Sequence, residues 1–343
     1  MATRPTIADL ARAAKVSVAT VDRVLNGRHR VREETARRVY EAANAIGYHA
    51  ASLIRQRIQE VLPHYRLGFV LQKPRQFFYQ RFARELQRAV DAAAGMHVDA
   101  RIDFTESQTA ADVIAKLKEV AERSQAVAMA APDHPMLTAA VQELRERNIP
   151  VLSLLSDFAP GVREGYLGLN NRKAGRTAAW FIAKTAKRPG KVAIFVGSHR
   201  FHGHEAREIG FRTFFREHAA DFQIVDTLIN LETRQITHEA TLDLLQRHPD
   251  LIGLYIAGGG MEGAISALRE EQTAGRIVVV CNELTPETRA ALADEIITAA
   301  IATPLPLLCT ELVGLMVRAI EGGAAETPGQ TFLPFDIHIS ENI

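Results

Sequence analysis

From Leu67 onward the chain alternates between short apolar runs and amphipathic stretches, and this alternation constrains the fold more than any other feature. The apolar runs predict strands at 67–72, 97–104, 125–131, 150–155, 191–197, 222–229, 252–257, 276–281 and 296–302. Most are apolar throughout, as strands covered on both faces require. Helical spacing over 79–94, 109–123, 171–187, 204–218, 234–247 and 305–321 predicts amphipathic helices. Strands alternating with helices give right-handed crossovers and parallel sheets. That is too many strands for one comfortable sheet, so residues 65–343 are expected to form an α/β body of two lobes. Lobe one is read as about 65–165 plus 285–303, and lobe two as about 166–284 plus 304–343.

The first 60 residues have a different character. They hold eleven Arg and Lys against six Asp and Glu, a net +5, while the whole chain carries +1. A basic head on a mildly acidic body suits a polyanionic partner. Ile7, Leu10, Ala11 and Ala14 share a helical face, with Thr6 and Asp9 in capping-box position. A second helix follows Ser17 with Val18, Val21, Val24 and Leu25, and stops at Asn26-Gly27. A third, over about 32–46, ends at Gly47. The short turn Lys15-Val16-Ser17 makes the first two a helix-turn-helix, so residues 1–48 are read as a small all-α head and 49–64 as a linker. In such a unit the second helix lies in the major groove. Val18 and Ala19 can then touch a thymine methyl, and Arg23 can grip a guanine edge with two hydrogen bonds. Ser17, Thr20 and Asn26 suit phosphate contacts. Thr6, Arg30, Leu53 and Arg57 complete the candidate DNA-binding set.

The elements I-x-D-L-A, V-S-x-x-T-V-x-R-V-L-N and T-x-x-x-V-x-x-A-x-x-x-G-Y occur in order within the first 48 residues. Here the chain resembles the lactose repressor (LacI/GalR-type) family of bacterial transcription regulators. The resemblance implies a repressor that binds a pseudo-palindromic operator as a homodimer. It further implies a periplasmic-binding-protein-like body that takes a small effector, and a hinge that becomes helical on DNA. Two departures stand out. Asp22 occupies a position where the family usually has Ser. The segment HAASLIRQRIQEVLP lacks the family's Pro-Asn start and aligns Arg57 with the leucine that wedges into the minor groove. Leu53 or Ile58 can wedge instead, or Arg55 and Arg57 can read a narrow groove by charge. Residues 50–59 are expected to be disordered without DNA, because a lone short helix is marginal in water.

Ligands of a two-lobed α/β body sit between the lobes, at the C-terminal ends of strands. Phe77 and Phe78 follow the first strand, where aromatic faces can stack on a sugar, although both also suit a core. Asp133 and Asp157 follow the third and fourth strands and serve equally as hydroxyl acceptors or helix caps. R-x-x-G-F at 207–211 resembles the family's ligand-binding arginine, which maps onto Arg207. Asn282 and Glu283 end the strand at 276–281, where the family places a ligand carboxylate. His199, His202 and His204 are close in sequence, but their spacing fits no standard zinc site, so polar cleft lining is the stronger reading. The effector is expected to be a sugar, polyol or sugar derivative.

Gly258-Gly259-Gly260-Met261-Glu262-Gly263 matches the dinucleotide fingerprint, with an acid 20 residues on at Glu283. It lies far from a first strand–helix–strand unit, so it is read as backbone approaching a ligand. A dinucleotide enzyme stays as an alternative, as does a solute-binding protein. The sequence holds no G-x-S-x-G, Walker A or H-E-x-x-H signature and no paired cysteine set, so no enzyme, cofactor or metal is expected. Cys281 and Cys309 lie in apolar runs and read as buried free thiols in a reducing cytoplasm. The N-terminus lacks the apolar core of a secretory signal, and no run suits a membrane span.

Overall fold

The computed structural model describes residues 4–26, 31, 33–54, 62–323, 325 and 328–343. Three helices build the head: α1 (Ile7–Ala13), α2 (Val18–Asn26) and α3 (Glu33–Ala45). Thr6 caps α1 in a full capping box with Asp9. Lys15 turns the chain with a φ of +53° between α1 and α2. Leu10, Ala14, Val21, Val24, Val39 and Ala43 meet in a core that includes Tyr48 and Ile54. Residues 51–54 form a further helical turn, with Ile54 N–H donating to Ala50 O at 3.0 Å. Disorder expected from residue 50 therefore does not reach this turn, because Ile54 is buried in the head core. The rest of the expected hinge, 55–61, lies outside the described residues, as does Arg30.

The body begins with β1 (His64–Gln72), α4 (Phe77–Asp91), β2 (His97–Thr105), α5 (Ala110–Ala121), β3 (Ala126–Met129) and α6 (Pro135–Glu146). β4 (Val151–Leu154), β5 (Gly165–Leu169), α7 (Asn171–Thr185), β6 (Lys191–Val196), α8 (His202–His218) and β7 (Gln223–Ile229) follow. Then come α9 (Arg234–Arg247), β8 (Leu251–Ile256), α10 (Met261–Glu270), β9 (Val278–Asn282), α11 (Pro286–Ala293) and β10 (Ala299–Ala302). The chain closes with α12 (Leu305–Gly322), β11 (Gly329–Leu333), β12 (Asp336–His338) and a short 3₁₀ turn.

The strands form two six-stranded sheets, ordered β11-β5-β4-β3-β1-β2 and β12-β10-β9-β8-β6-β7. In each, the first strand of the lobe (β1 or β6) lies between the second and the third, the doubly wound order whose reversal opens a crevice at the strand ends. β1–β3 and β6–β8 pair in parallel and flank those two crevices. The inner strands, β3, β4, β6, β8, β9 and β10 among them, are buried on both faces, while β2, β11 and β12 are partly exposed. Val70, Val127, Met129 and Val151 meet α5 and α6 residues in one lobe, and Phe195, Leu254, Ile256 and Val279 meet α10 and α11 residues in the other.

The lobe boundaries expected for the C-terminal third are corrected by the pairing. Ala299–Ala302 pairs with β9, so residues 285–303 complete the second lobe. α12 packs on β3 and β5, and β11 pairs with β5, so most of 304–343 returns to the first lobe. The chain thus changes lobes at 170, at 303–304 and at 334–335.

Candidate functional site

On the head, α2 presents one exposed face formed by Val18, Ala19, Asp22, Arg23 and Asn26. Their spacing follows from burying Val21 and Val24 on the opposite face. Val18 is 47% exposed although apolar, which is unfavourable unless a partner covers it. The Ser17 hydroxyl accepts from Thr20 N–H at 3.1 Å and lies 2.8 Å from the Thr20 hydroxyl, fixing the first turn. Asp22 accepts from the Asn26 amide at 2.7 Å, and among the described residues Arg23 has no ion-pair partner, so it is free to reach outward. The Arg38 guanidinium donates to Lys15 O and ties α3 to the turn. Leu53 is exposed, while Arg57 lies outside the described residues.

In the body, the ends of β1, β3, β6 and β8 converge on one cavity with about 790 Å³ of empty space, its open mouth included. The room for water-sized groups within it is about 90 Å³, below the roughly 300–1,000 Å³ of a typical small-ligand site. Phe77, Phe78 and Tyr79 enter from the first turn of α4, and Ala130, Leu155 and Ser156 come from the same lobe. The second lobe contributes His204, Arg207, Glu232, Gly258–Gly260, Glu262, Asn282 and Glu283.

Arg207 stands on the first turns of α8, buried, with Nε donating to Asn171 Oδ1 at 2.7 Å and Nη1 to Ala257 O at 2.6 Å. Nη2 has no partner among the described residues and is available to a ligand. Its position depends on the close crossing of α7 and α8. A Cβ on Gly175 would lie 1.9 Å from Arg207 O, and one on Gly210 would lie 2.1 Å from Arg172 O. Asn282 is nearly enclosed, accepting from the Tyr255 hydroxyl at 2.8 Å. Glu283 accepts from the Thr303 hydroxyl at 2.6 Å and from Thr303 N–H at 3.0 Å. Burial raises the Glu283 carboxyl above the usual range, against the opposing pull of Thr303 and Arg207. Burial likewise raises Glu262.

Two residues that sequence reasoning left out of the candidate site, Lys73 and Glu232, join the lobes beside His204, which was expected to line the cleft. Lys73 Nζ, just past β1, donates to Glu232 Oε2 at 2.8 Å. Glu232, just past β7, also accepts from Gly259 N–H at 3.1 Å and lies 3.6 Å from His204 Nε2. His204 Nδ1 accepts from Gly197 N–H at 3.2 Å, so the neutral ring carries its proton on Nε2, facing Glu232. Burial presses the His204 imidazole down to about 4. Burial opposes the charge on Glu232, but His204, Lys73 and the Gly259 N–H outweigh it and hold the carboxyl at about 2. Lys73, Leu155, Glu232 and Glu283 all take positive φ, between +45° and +70°. Such strain in residues other than Gly gathers where a site over-determines the backbone.

Two expected cleft residues do not line the cavity. Asp157 is turned into its own lobe, where Arg163 grips it with Nη2 at 2.7 Å and Ser153 donates at 2.6 Å. Asp133 accepts from Ala159 N–H at 2.9 Å, and its own N–H donates across the lobes to Arg200 O at 2.8 Å. Both sit at strand ends, but their carboxylates satisfy neighbouring backbone and guanidinium groups. The three clustered histidines also separate, facing Glu208, Asp133 and Glu232 in turn. The Gly-rich loop has a packing origin. A Cβ on Gly258 would lie 2.8 Å from His204, one on Gly259 2.9 Å from Glu232, and one on Gly260 2.3 Å from Thr237. Among the described residues no helix is long and apolar enough to cross a membrane.

Comparison with known proteins agrees with this architecture. The periplasmic binding protein domain matches residues 67–324, and the lacI family of bacterial regulatory proteins matches residues 6–51. An uncharacterized HTH-type transcriptional regulator in the aml 5' region of Streptomyces limosus is 26% identical over 276 residues, covering 78% of this chain and 74% of the relative. The ribose import binding protein RbsB of Escherichia coli is 28% identical over 200 residues, 55% of this chain and 64% of that protein. Among solved structures, the sugar-binding protein of a Bacillus halodurans sugar ABC transporter superposes with a TM-score of 0.72 at 19% identity, covering 81% of this chain and 98% of that one. The chain therefore belongs, over its body, to the periplasmic binding protein domain family, and carries at its N-terminus a helix-turn-helix domain of the lacI family of bacterial regulatory proteins.

Proposed function

We propose that the chain is a transcriptional repressor that binds a pseudo-palindromic operator as a homodimer, in the compartment that holds the DNA. Its operator affinity is set by a small polyhydroxylated effector, a sugar or polyol, held between the lobes. The observation that carries the effector is the composition of the cavity. Aromatic faces at Phe77 and Phe78 come from one lobe, and a buried guanidinium and carboxyls at Arg207, Glu262 and Glu283 come from the other. Aromatic faces meet the C–H surface of a sugar ring, while the polar groups take its hydroxyls. The relatives named for ribose or ribose and allose binding favour a monosaccharide. A ligand touching both lobes binds their closed arrangement best, and that differential affinity is what allows it to alter operator binding.

A thermal-shift screen of pentoses, hexoses, polyols, sugar acids and NAD tests the effector. A true effector at about 100 times its Kd adds about 2.7 kcal/mol of stability, and Arg207→Ala removes the shift. Stabilisation by NAD alone would overturn the reading. Random-sequence selection tests the operator: an inverted repeat is expected, and Arg23→Ala costs about 1–3 kcal/mol and relaxes one base position. A pool without an inverted repeat would rule out the dimeric operator.

A further inference from the structure

Outside the cleft, one cluster of metal-ligating side chains has no role in effector or operator binding. His64 opens β1, and His97 and Asp99 open the neighbouring strand β2. His97 N–H donates to Pro63 O at 2.9 Å, which aligns the two strand starts. His97 and Asp99 are two residues apart on a strand, so they share a face. His64 Nε2 lies 2.9 Å from Asp99 Oδ2, and His97 Nε2 lies 3.5 Å from Asp99 Oδ1. The two imidazoles stand side by side, with ring centroids 4.8 Å apart. One carboxylate therefore lies between two imidazoles, and among the described residues no Lys or Arg pairs with any of the three.

We propose that His64, His97 and Asp99 form a site for a divalent transition-metal ion of the zinc type. The donor set is two imidazole nitrogens and a carboxylate oxygen, which suits Zn²⁺, Ni²⁺ or Cu²⁺ and does not suit Mg²⁺ or Ca²⁺. The candidate donor atoms lie within 4.8 Å of one another. Bonds of about 2.0–2.1 Å in a tetrahedral site place donors roughly 3.3 Å apart, so small rotations of exposed side chains complete the geometry. Both imidazoles bind as neutral ligands through Nε2, each keeping its single ring proton on Nδ1. Three protein ligands leave the fourth position to water. An ion here staples the starts of β1 and β2, immediately after the linker that follows the head.

The test is calorimetric titration of the full, chelator-stripped chain with Zn²⁺, with Mg²⁺ in parallel. One Zn²⁺ per chain is expected at this site, with no Mg²⁺ heat. His64→Ala, His97→Ala and Asp99→Asn should each weaken that Zn²⁺ binding by at least about tenfold, since loss of a direct ligand exceeds the cost of losing its outer support. His199→Ala should leave it unchanged. All four positions are exposed, and far-ultraviolet circular dichroism checks that the variants keep their fold. Absence of Zn²⁺ binding would overturn the site, and so would an isotherm unaltered in the His64→Ala/His97→Ala double variant.

Discussion

Acid should loosen this protein through one identifiable group, His204. In the folded chain its imidazole is buried, accepts from Gly197 N–H and takes a proton only near pH 4, whereas an unfolded histidine takes one near 6.5. Between those values the unfolded state binds more protons, so stability rises with pH and is lost as pH falls from 6.5 to about 4. At about 1.4 kcal/mol per pH unit, the displacement amounts to about 3 kcal/mol. Glu232 acts in a lower window: its depressed carboxyl contributes stability that is complete above 4.5 and disappears as pH falls toward about 2. His204→Asn isolates the upper window. An Asn Oδ1 takes the place of Nδ1 as acceptor for Gly197, and the side chain does not titrate. At about pH 7 the variant should be no more stable than the parent, and by about pH 4.5 the difference should move in its favour by about 2–3 kcal/mol. Urea unfolding followed by tryptophan fluorescence and circular dichroism measures this. Parallel stability curves for parent and variant across the window would refute the argument.

Lys73→Met leaves Glu232 buried without its cation and should cost roughly 3 kcal/mol, with a more open cleft seen by small-angle scattering. Gly175→Ala drives a methyl against Arg207 O. It should cost about 1–3 kcal/mol in thermal unfolding, and effector affinity measured by calorimetry should fall because Arg207 shifts. Asp22→Ser removes an exposed carboxylate from the DNA-reading face and should tighten operator binding by up to about 1 kcal/mol, the size of a unit charge pair at contact in water. Fluorescence anisotropy at low and high salt checks this, and the gain should shrink as salt screens it.

The strands were legible because most are apolar runs long enough to be buried on both faces. Those missed carry weaker signals. Gly165-Tyr166-Leu167-Gly168-Leu169 has two glycines in five residues, and β11 and β12 are polar edge strands. α6 and α11 each begin at a proline, which marks a helix start only once the preceding strand is known. The lobe assignment failed at its crossings because 303–304 and 334–335 are too short to carry a compositional signal. Whether Ala299–Ala302 continues one sheet or starts a return to the other is decided by its register on β9.

The site shows the same division between position and direction. Strand-end reasoning pointed to Phe77, Phe78, Asn282 and Glu283, because a doubly wound sheet brings its strand ends together whatever their sequence, and the family resemblance pointed to Arg207; all five line the cavity. Strand-end reasoning could not say which way a carboxylate turns, and Asp157 turns toward Arg163, a residue six positions on with no local signature. Glu232 was missed for a related reason: it follows β7, an outer strand, and reaches the cavity only because Leu231 and Glu232 both take positive φ. That kink carries the carboxylate beneath Gly259 and within reach of Lys73 from the other lobe. The three glycines at 258–260 follow from it. Their missing side chains make room for His204, Glu232 and Thr237, so the resemblance to a dinucleotide loop is the imprint of the clasp packed behind it. A ligand that closes the cleft meets bare backbone on one side of this loop, while the buried Lys73–Glu232 pair on the other side couples the two lobes.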